Sequence, residues 1–166
     1  QTTRDSQGRR LLFAWLGLPE ENEMSQPTVE HGWIHQMSCP RELFWQDDWL
    51  CQRPVAELAT LKGEQTRFEG TLREFPGLAI DSAWLDLALC GEGSLWFGAV
   101  AELVWQPGRI TLRRQNWQSG AWEDRSTPWL GGKITVLCDS SSLECFVDQG
   151  RQSLSARYFP GEKPQL

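Results

Sequence analysis

Turn-forming residues cut the second half of this chain into short apolar pieces. Pro76-Gly77, Gly91-Glu92-Gly93, Pro107-Gly108, Ser119-Gly120 and Asp148-Gln149-Gly150 separate the segments RFEGTLREF, AWLDLALC, LWFGAVAELVWQ, ITLRRQNW, KITVLCD, LECFVD and QSLSARYF. Most of these segments are too short for a packed helix and rich in β-branched and aromatic residues. Short strands at close spacing with turn signals between them predict an all-β, antiparallel β-sandwich. No internal repeat and no low-complexity tract interrupts the pattern.

The first third reads differently. Residues 1–8 are polar and end in a turn signal. RRLLFAWLG is predicted as a strand closed by Gly17, followed by a polar loop with two prolines, LPEENEMSQPTVEHG. WIHQMSCP alternates weakly, RELFWQ and WLCQRP read as strands, and Asp47-Asp48 between them reads as a hairpin turn. Residues 9–53 are thus expected to form a small antiparallel meander. Over 54–63 the character changes: Pro54 suits a first helical turn, Gly63 suits a stop, and Val55, Leu58 and Leu61 share a helical face. A short linker helix is predicted there.

Composition excludes several function classes. The 166 residues suffice for one domain, or one domain plus part of another, and the 40% hydrophobic content allows a packed core. Sixteen Lys and Arg against 22 Asp and Glu leave a net charge of −6. A nucleic-acid surface needs a basic stripe, and the longest basic runs here are Arg9-Arg10 and Arg113-Arg114. No apolar run is long enough to span a membrane, and no signal peptide is visible. The chain starts with Gln rather than Met, as expected of a processed or cut chain. Five scattered cysteines (Cys39, Cys51, Cys90, Cys138, Cys145) show no zinc spacing, so they are expected as small buried hydrophobes in a reducing, cytoplasmic compartment. Ten Trp against one Tyr suit sheet surfaces and sugar-stacking sites alike.

One dipeptide bears on catalysis. Glu144-Cys145 repeats a pair that carries the acid/base carboxylate in a large family of sugar hydrolases. In the predicted strand LECFVD, Leu143, Cys145 and Val147 fall on one face, and Glu144, Phe146 and Asp148 on the other. Glu144 is therefore expected on the wetter face of a strand, where Glu144→Gln would be nearly silent. Cys145 is expected in the inter-sheet core.

Four stretches carry a family resemblance: GRRLLFAWLG (8–17), GWIHQMSCPREL (32–43), QRPVAELATL (52–61) and DSSSLECFVDQGRQSLSARYFP (139–160). In this order and spacing they resemble glycoside hydrolase family 32. The resemblance implies a five-bladed β-propeller that carries the active site and a C-terminal, concanavalin-like β-sandwich beside it. Residues 1–53 would be the partial last blade of the propeller, 54–63 the linker helix, and 64–166 the sandwich, short of its last strand or two. The implied activity is that of a retaining β-fructofuranosidase, an invertase or sucrose-6-phosphate hydrolase, with no cofactor. Its implied partners are the propeller of the same parent chain, the sugar substrate and a second copy in a homodimer. The family's nucleophile and stabiliser motifs have no counterpart here. Glu144-Cys145 aligns with a sandwich hairpin in which the family commonly has Glu followed by Ile or Val. No catalytic residue is therefore expected in this chain, and the piece alone is expected to be a stabilising sandwich.

The remaining candidates each have two readings. Trp15 aligns with the Trp of the family's Gly-Trp-Met strand near the propeller mouth. It is either a substrate contact or a blade-core residue; Ala14 replaces the family Gly before it. Arg41 matches the family's Pro-Arg pair and is expected as a structural ion-pair or carbonyl-binding residue, with a sugar-phosphate contact as the other reading. His31 and His35 have zinc-like spacing, but Gly32 and the β-like context point to a loop and a strand histidine, with no metal. Asp47, Asp48, Asp81 and Asp86 are expected at solvated turns or strand edges. The sandwich residues Trp84, Trp96, Trp105, Trp117, Trp122 and Trp129 are core or interface residues, or a glycan-binding face. The reading from a different class is a free-standing, lectin-like sugar-binding module.

Overall fold

Alternating apolar residues in the second half close a core between two antiparallel sheets. A computed structural model describes residues 1–78 and 81–161. Among the described residues fourteen strands run in chain order: β1 Thr2–Arg4, β2 Arg10–Leu12, β3 Trp15–Leu16, β4 Gln36–Met37, β5 Arg41–Gln46, β6 Trp49–Pro54, β7 Ala83–Leu87, β8 Gly93–Phe97, β9 Ala101–Gln106, β10 Gly108–Gln115, β11 Trp122–Trp129, β12 Ile134–Asp139, β13 Ser142–Val147 and β14 Gln152–Arg157. One sandwich sheet has the order β11-β10-β9-β8, the other β14-β13-β12-β7. Between them lie Phe97, Leu103, Ile110, Leu112, Ile134, Val136, Leu143, Cys145, Val147 and Tyr158, all fully buried. The fold is all-β, as the turn spacing predicts.

The N-terminal third forms a four-stranded antiparallel sheet, β1-β2-β5-β6, and a two-stranded ribbon, β3-β4. The predicted strand RRLLFAWLG splits in two: Phe13 still bonds Gln1, but Ala14 turns to Ser38 and the chain re-pairs as the ribbon, Trp15 opposite Met37 and Leu16 opposite Gln36. The polar start contributes an unexpected edge strand, β1, whose three residues are exposed. Asp47 and Asp48 make the expected hairpin turn. Both take left-handed φ (48° and 63°), the handedness that matches the twist of a two-residue hairpin.

Four other expectations need correction. Residues 67–75 form no strand: Thr71 and Glu74 make a reciprocal capping box around a 3-10 turn at Leu72–Glu74. That local pairing competes with a ladder. LWFGAVAELVWQ is two strands, turned at Gly98 (φ 60°), with Phe97 opposite Ala101. β11 was hidden by its charges and Pro128, which an edge strand tolerates. The segment between the two units is a 3-10 helix, Ala56–Leu61, with Pro54 still in β6 and no side-chain cap. Val55 is buried there, but Leu61 is 78% exposed. The expected end of the sandwich, 162–166, lies outside the described residues.

The β13–β14 hairpin docks on the N-terminal sheet. Asp148 and Gln149 take left-handed φ (50° and 61°) to turn the chain, and Gly150 (φ 88°) abuts β6. A Cβ at Gly150 would collide with the Gln52 carbonyl oxygen, so this contact requires glycine. The Asp148 carboxylate accepts the backbone N–H of Leu130 (2.8 Å) and of Gly132 (2.9 Å), tying the β11–β12 loop to the same turn.

Cys145 lies in the inter-sheet core and is fully buried. Burial first, and the nearby Glu144 charge second, push its thiol up to about 12. Cys145→Val should cost less than about 1.5 kcal/mol in denaturant unfolding, because the volumes are similar. Cys145→Asp should prevent folding by burying an unpaired charge. Native-state thiol labelling should leave Cys145 unmodified.

Candidate functional site

The Glu144-Cys145 dipeptide resolves as structure rather than catalysis. All six residues of β13 are buried. One face is the sandwich core, as the alternation predicts; the other is covered by the N-terminal sheet instead of water. Glu144 is only 3% exposed, which overturns its expected place on a wet face. Its Oε1 accepts the Cys39 N–H at 2.6 Å, and its Oε2 accepts Arg41 Nε at 3.1 Å and an Arg41 Nη2 bond. The Cys39 thiol donates to Oε2 at 3.4 Å. A general acid must reach a substrate oxygen. This carboxylate is enclosed by donors from the chain itself.

Arg41 is the ion-pair residue the first of its two readings anticipates. Glu144 pairs with Ser155 and Phe146 with Ser153 across the β13–β14 ladder, so the four side chains share the outward face. The Arg41 guanidinium sits on all four. It donates to Glu144, to Ser155 Oγ at 2.8 Å and to Ser153 Oγ at 3.4 Å, and lies 5.0 Å from the Phe146 ring centre. Its Nη1 also donates to Gln52 Oε1 at 2.7 Å. Arg41 is 4% exposed, so no edge is presented to a sugar phosphate.

Trp15 is displayed, not packed. It is 56% exposed on the β3–β4 ribbon. Its indole meets the His35 ring edge-on, with centroids 4.8 Å apart. A Cβ at Gly17 would collide with the indole and lie 2.8 Å from His35 Nδ1, so Gly17 is the seat of both rings. His35 Nε2 is 2.8 Å from Glu23 Oε1, and its Nδ1 is 3.4 Å from Gln26 Nε2. The Pro-containing loop 18–32 thus folds back to hold the ring under Trp15. A flat, braced, half-open indole can take the C–H face of a sugar. Glu23 and Gln26 were not anticipated from the sequence, and His35, expected as a strand histidine, lies just before β4. His31 stands apart in an exposed turn beside Glu30, 3.5 Å away. No group of three His, Cys, Asp or Glu among the described residues could hold a metal ion.

The sandwich tryptophans divide. Trp105 and Trp129 are buried in the core, and Trp117 stacks edge-on to Phe159 at 4.8 Å. Trp96 and Trp122 meet edge-on at 5.8 Å on the outer face, and Trp84 carries Lys62 at 3.9 Å. Asp47 pairs with Arg151 at 2.9 Å, and Asp86 with Thr135 at 2.8 Å.

Known proteins share both halves of this arrangement. Residues 1–54 match the N-terminal domain of glycosyl hydrolases family 32, and residues 108–165 match the family's C-terminal domain. The chain belongs to glycoside hydrolase family 32. The sucrose-6-phosphate hydrolase of Klebsiella pneumoniae is 37% identical over the whole chain, and that of Salmonella typhimurium 39%. The chain spans 35% of the length of each. The solved sucrose-6-phosphate hydrolase of Lactobacillus gasseri superposes with a TM-score of 0.81 at 21% identity, over 99% of this chain and 37% of that one. It shows that the fold is shared.

Removing the Glu144 charge leaves Arg41 buried without its partner. Glu144→Gln, instead of being silent, should cost about 3–5 kcal/mol in denaturant unfolding. Adding Arg41→Met to that variant should recover part of the loss, because no lone charge then remains buried. A two-by-two cycle of the variants measures this coupling.

Proposed function

We propose that this chain is the C-terminal part of a retaining β-fructofuranosidase that hydrolyses sucrose-6-phosphate or sucrose. The observation that carries this reading is the match, along the whole chain, to two sucrose-6-phosphate hydrolases. In this reading residues 1–53 belong to the last propeller blade, 54–63 link it to the sandwich of 64–166, and the catalytic carboxylates lie on the rest of the parent. A nucleophile would attack the anomeric carbon of the fructosyl unit while an acid protonates the leaving oxygen. Water would then release the sugar from the enzyme. Trp15 would pack against the sugar, and the sandwich would hold the blade in place. The match of residues 1–54 to an enzyme's N-terminal domain weighs against a free-standing lectin. Five free cysteines support a reducing, cytoplasmic location. No helix among the described residues is long and apolar enough to cross a membrane. Pairing of two copies through the sandwich completes the proposal.

The test is the intact parent enzyme assayed on sucrose and on sucrose-6-phosphate. Release of fructose, together with glucose from sucrose or glucose 6-phosphate from sucrose-6-phosphate, identifies the bond, and the ratio of kcat/KM identifies the substrate. Trp15→Ala should lower kcat/KM by about 1–3 kcal/mol, with little change in Tm. The 166-residue chain alone should show no turnover. Normal kinetics in Trp15→Ala would remove Trp15 from the site.

A further inference from the structure

The ribbon that displays Trp15 is only four residues in two short strands, Trp15–Leu16 and Gln36–Met37. Two-stranded ribbons of this length do not hold their shape alone. The sandwich supplies the missing restraint at several points. The Gln36 amide donates to Ser142 Oγ and accepts from Ser141 Oγ, both at 2.6 Å. Within the N-terminal unit itself, Ser38, just past β4, accepts the Ala14 N–H at its Oγ (3.1 Å) and donates its own N–H to the Ala14 carbonyl (2.7 Å).

The most direct restraint comes from Arg157, the last residue of β14. Its Nη1 donates to the Leu16 carbonyl at 3.1 Å and to the Ile34 carbonyl at 3.3 Å. These carbonyls belong to the residues next to Trp15 and His35, the two rings that touch. Its Nε donates to the Ser141 carbonyl at 3.0 Å, anchoring the fork in the sandwich. The rings of Trp33 and Phe159 lie 5.4 and 5.0 Å from the guanidinium carbon. Arg157 is 7% exposed and has no carboxylate partner among the described residues. Its Nη2 is buried without a hydrogen bond among them. Burial, and after it the Arg114 charge, lower its pKa. A guanidinium kept in such a place is costly as a charge. What it offers is a planar fork of fixed geometry that spans three carbonyls, which lysine cannot reproduce.

We propose that Arg157 is a positioning residue: it fixes the Leu16 and Ile34 carbonyls so that Trp15 and His35 present one rigid surface to the sugar. This rests on the reading of Trp15 as a sugar contact. It makes the sandwich part of the binding apparatus through a side chain that never touches substrate.

The test is a double-mutant cycle in the intact parent enzyme, assayed on sucrose and sucrose-6-phosphate well below the Tm of every variant. Arg157→Met keeps the apolar stem and removes the fork. It should lower kcat/KM roughly tenfold, within the range expected when a remote change misplaces a contact group. Arg157→Lys, which keeps the charge and reaches fewer carbonyls, should fall between it and the parent; it also serves if Arg157→Met does not fold. In a Trp15→Ala background, either Arg157 change should cost less than about twofold, because the ring it positions is gone. An undiminished loss in that background overturns the proposal and assigns Arg157 to general stability. So does a normal kcat/KM in both Arg157 variants while Trp15→Ala is impaired. If Trp15→Ala is itself unimpaired, the sugar-contact reading fails first, and the positioning role with it.

Discussion

The arrangement of the two units depends on one buried ion pair. Arg41 comes from the third strand of the N-terminal sheet and Glu144 from a central strand of the sandwich. Bringing both charges out of water carries a penalty of several kcal/mol per ion, and their attraction offsets it only when the remaining donors and acceptors are filled. Here they are filled from both sides: Cys39 and Gln52 from one unit, Ser153 and Ser155 from the other. Such a pair adds little net stability over a well-packed apolar contact. It does penalise every alternative seating, because any slip of the sheets leaves a charge unpaired. The Cys39 thiol, pushed up to about 12 by burial and then by the Glu144 charge, stays protonated and acts as one more donor to the carboxylate.

This contact explains both what the sequence reveals and what it conceals. Local alternation correctly sorts β13 into Leu143, Cys145 and Val147 against Glu144 and Phe146. Alternation reports faces, however, and not what covers them. A strand with polar residues on one face reads as half-solvated whether water or another sheet lies there. The information about Glu144 sits about a hundred residues away, in Arg41, and only the fold brings the two together. Trp15 and Arg41 were singled out as candidates by the family's motifs. Glu23, Gln26 and Arg157 were not, because a carboxylate, an amide and an arginine in polar or mixed segments have no pattern of their own.

The misread elements share a cause. The capping box at Thr71 and Glu74, the Gly98 turn and the edge strand carrying Pro128 are all places where local chemistry and apolar pattern disagree. At residues 71–74 the reciprocal hydrogen bonds of Thr71 and Glu74 prevail. In β11 the ladder prevails, since β10 offers eight partnered positions and the proline sits on an edge. The outcome follows from which partner is available, which a single segment does not record.

Two arginines therefore divide the junction. Arg41 meets a carboxylate and sets where the sheets sit. Arg157 meets carbonyls and sets the shape of the ribbon lying on them. The difference follows from what each must hold: a rigid four-stranded sheet needs one deep, specific anchor, whereas a ribbon of two-residue strands needs its backbone gripped directly. An aromatic contact to a sugar is worth its energy only if the ring is held within a fraction of an ångström. His35, Gly17 and the loop from 18 to 32 brace the indole locally, but all of them ride on the same short ribbon. The restraint on the ribbon has to come from outside it, and in this chain it comes from the hairpin of the sandwich.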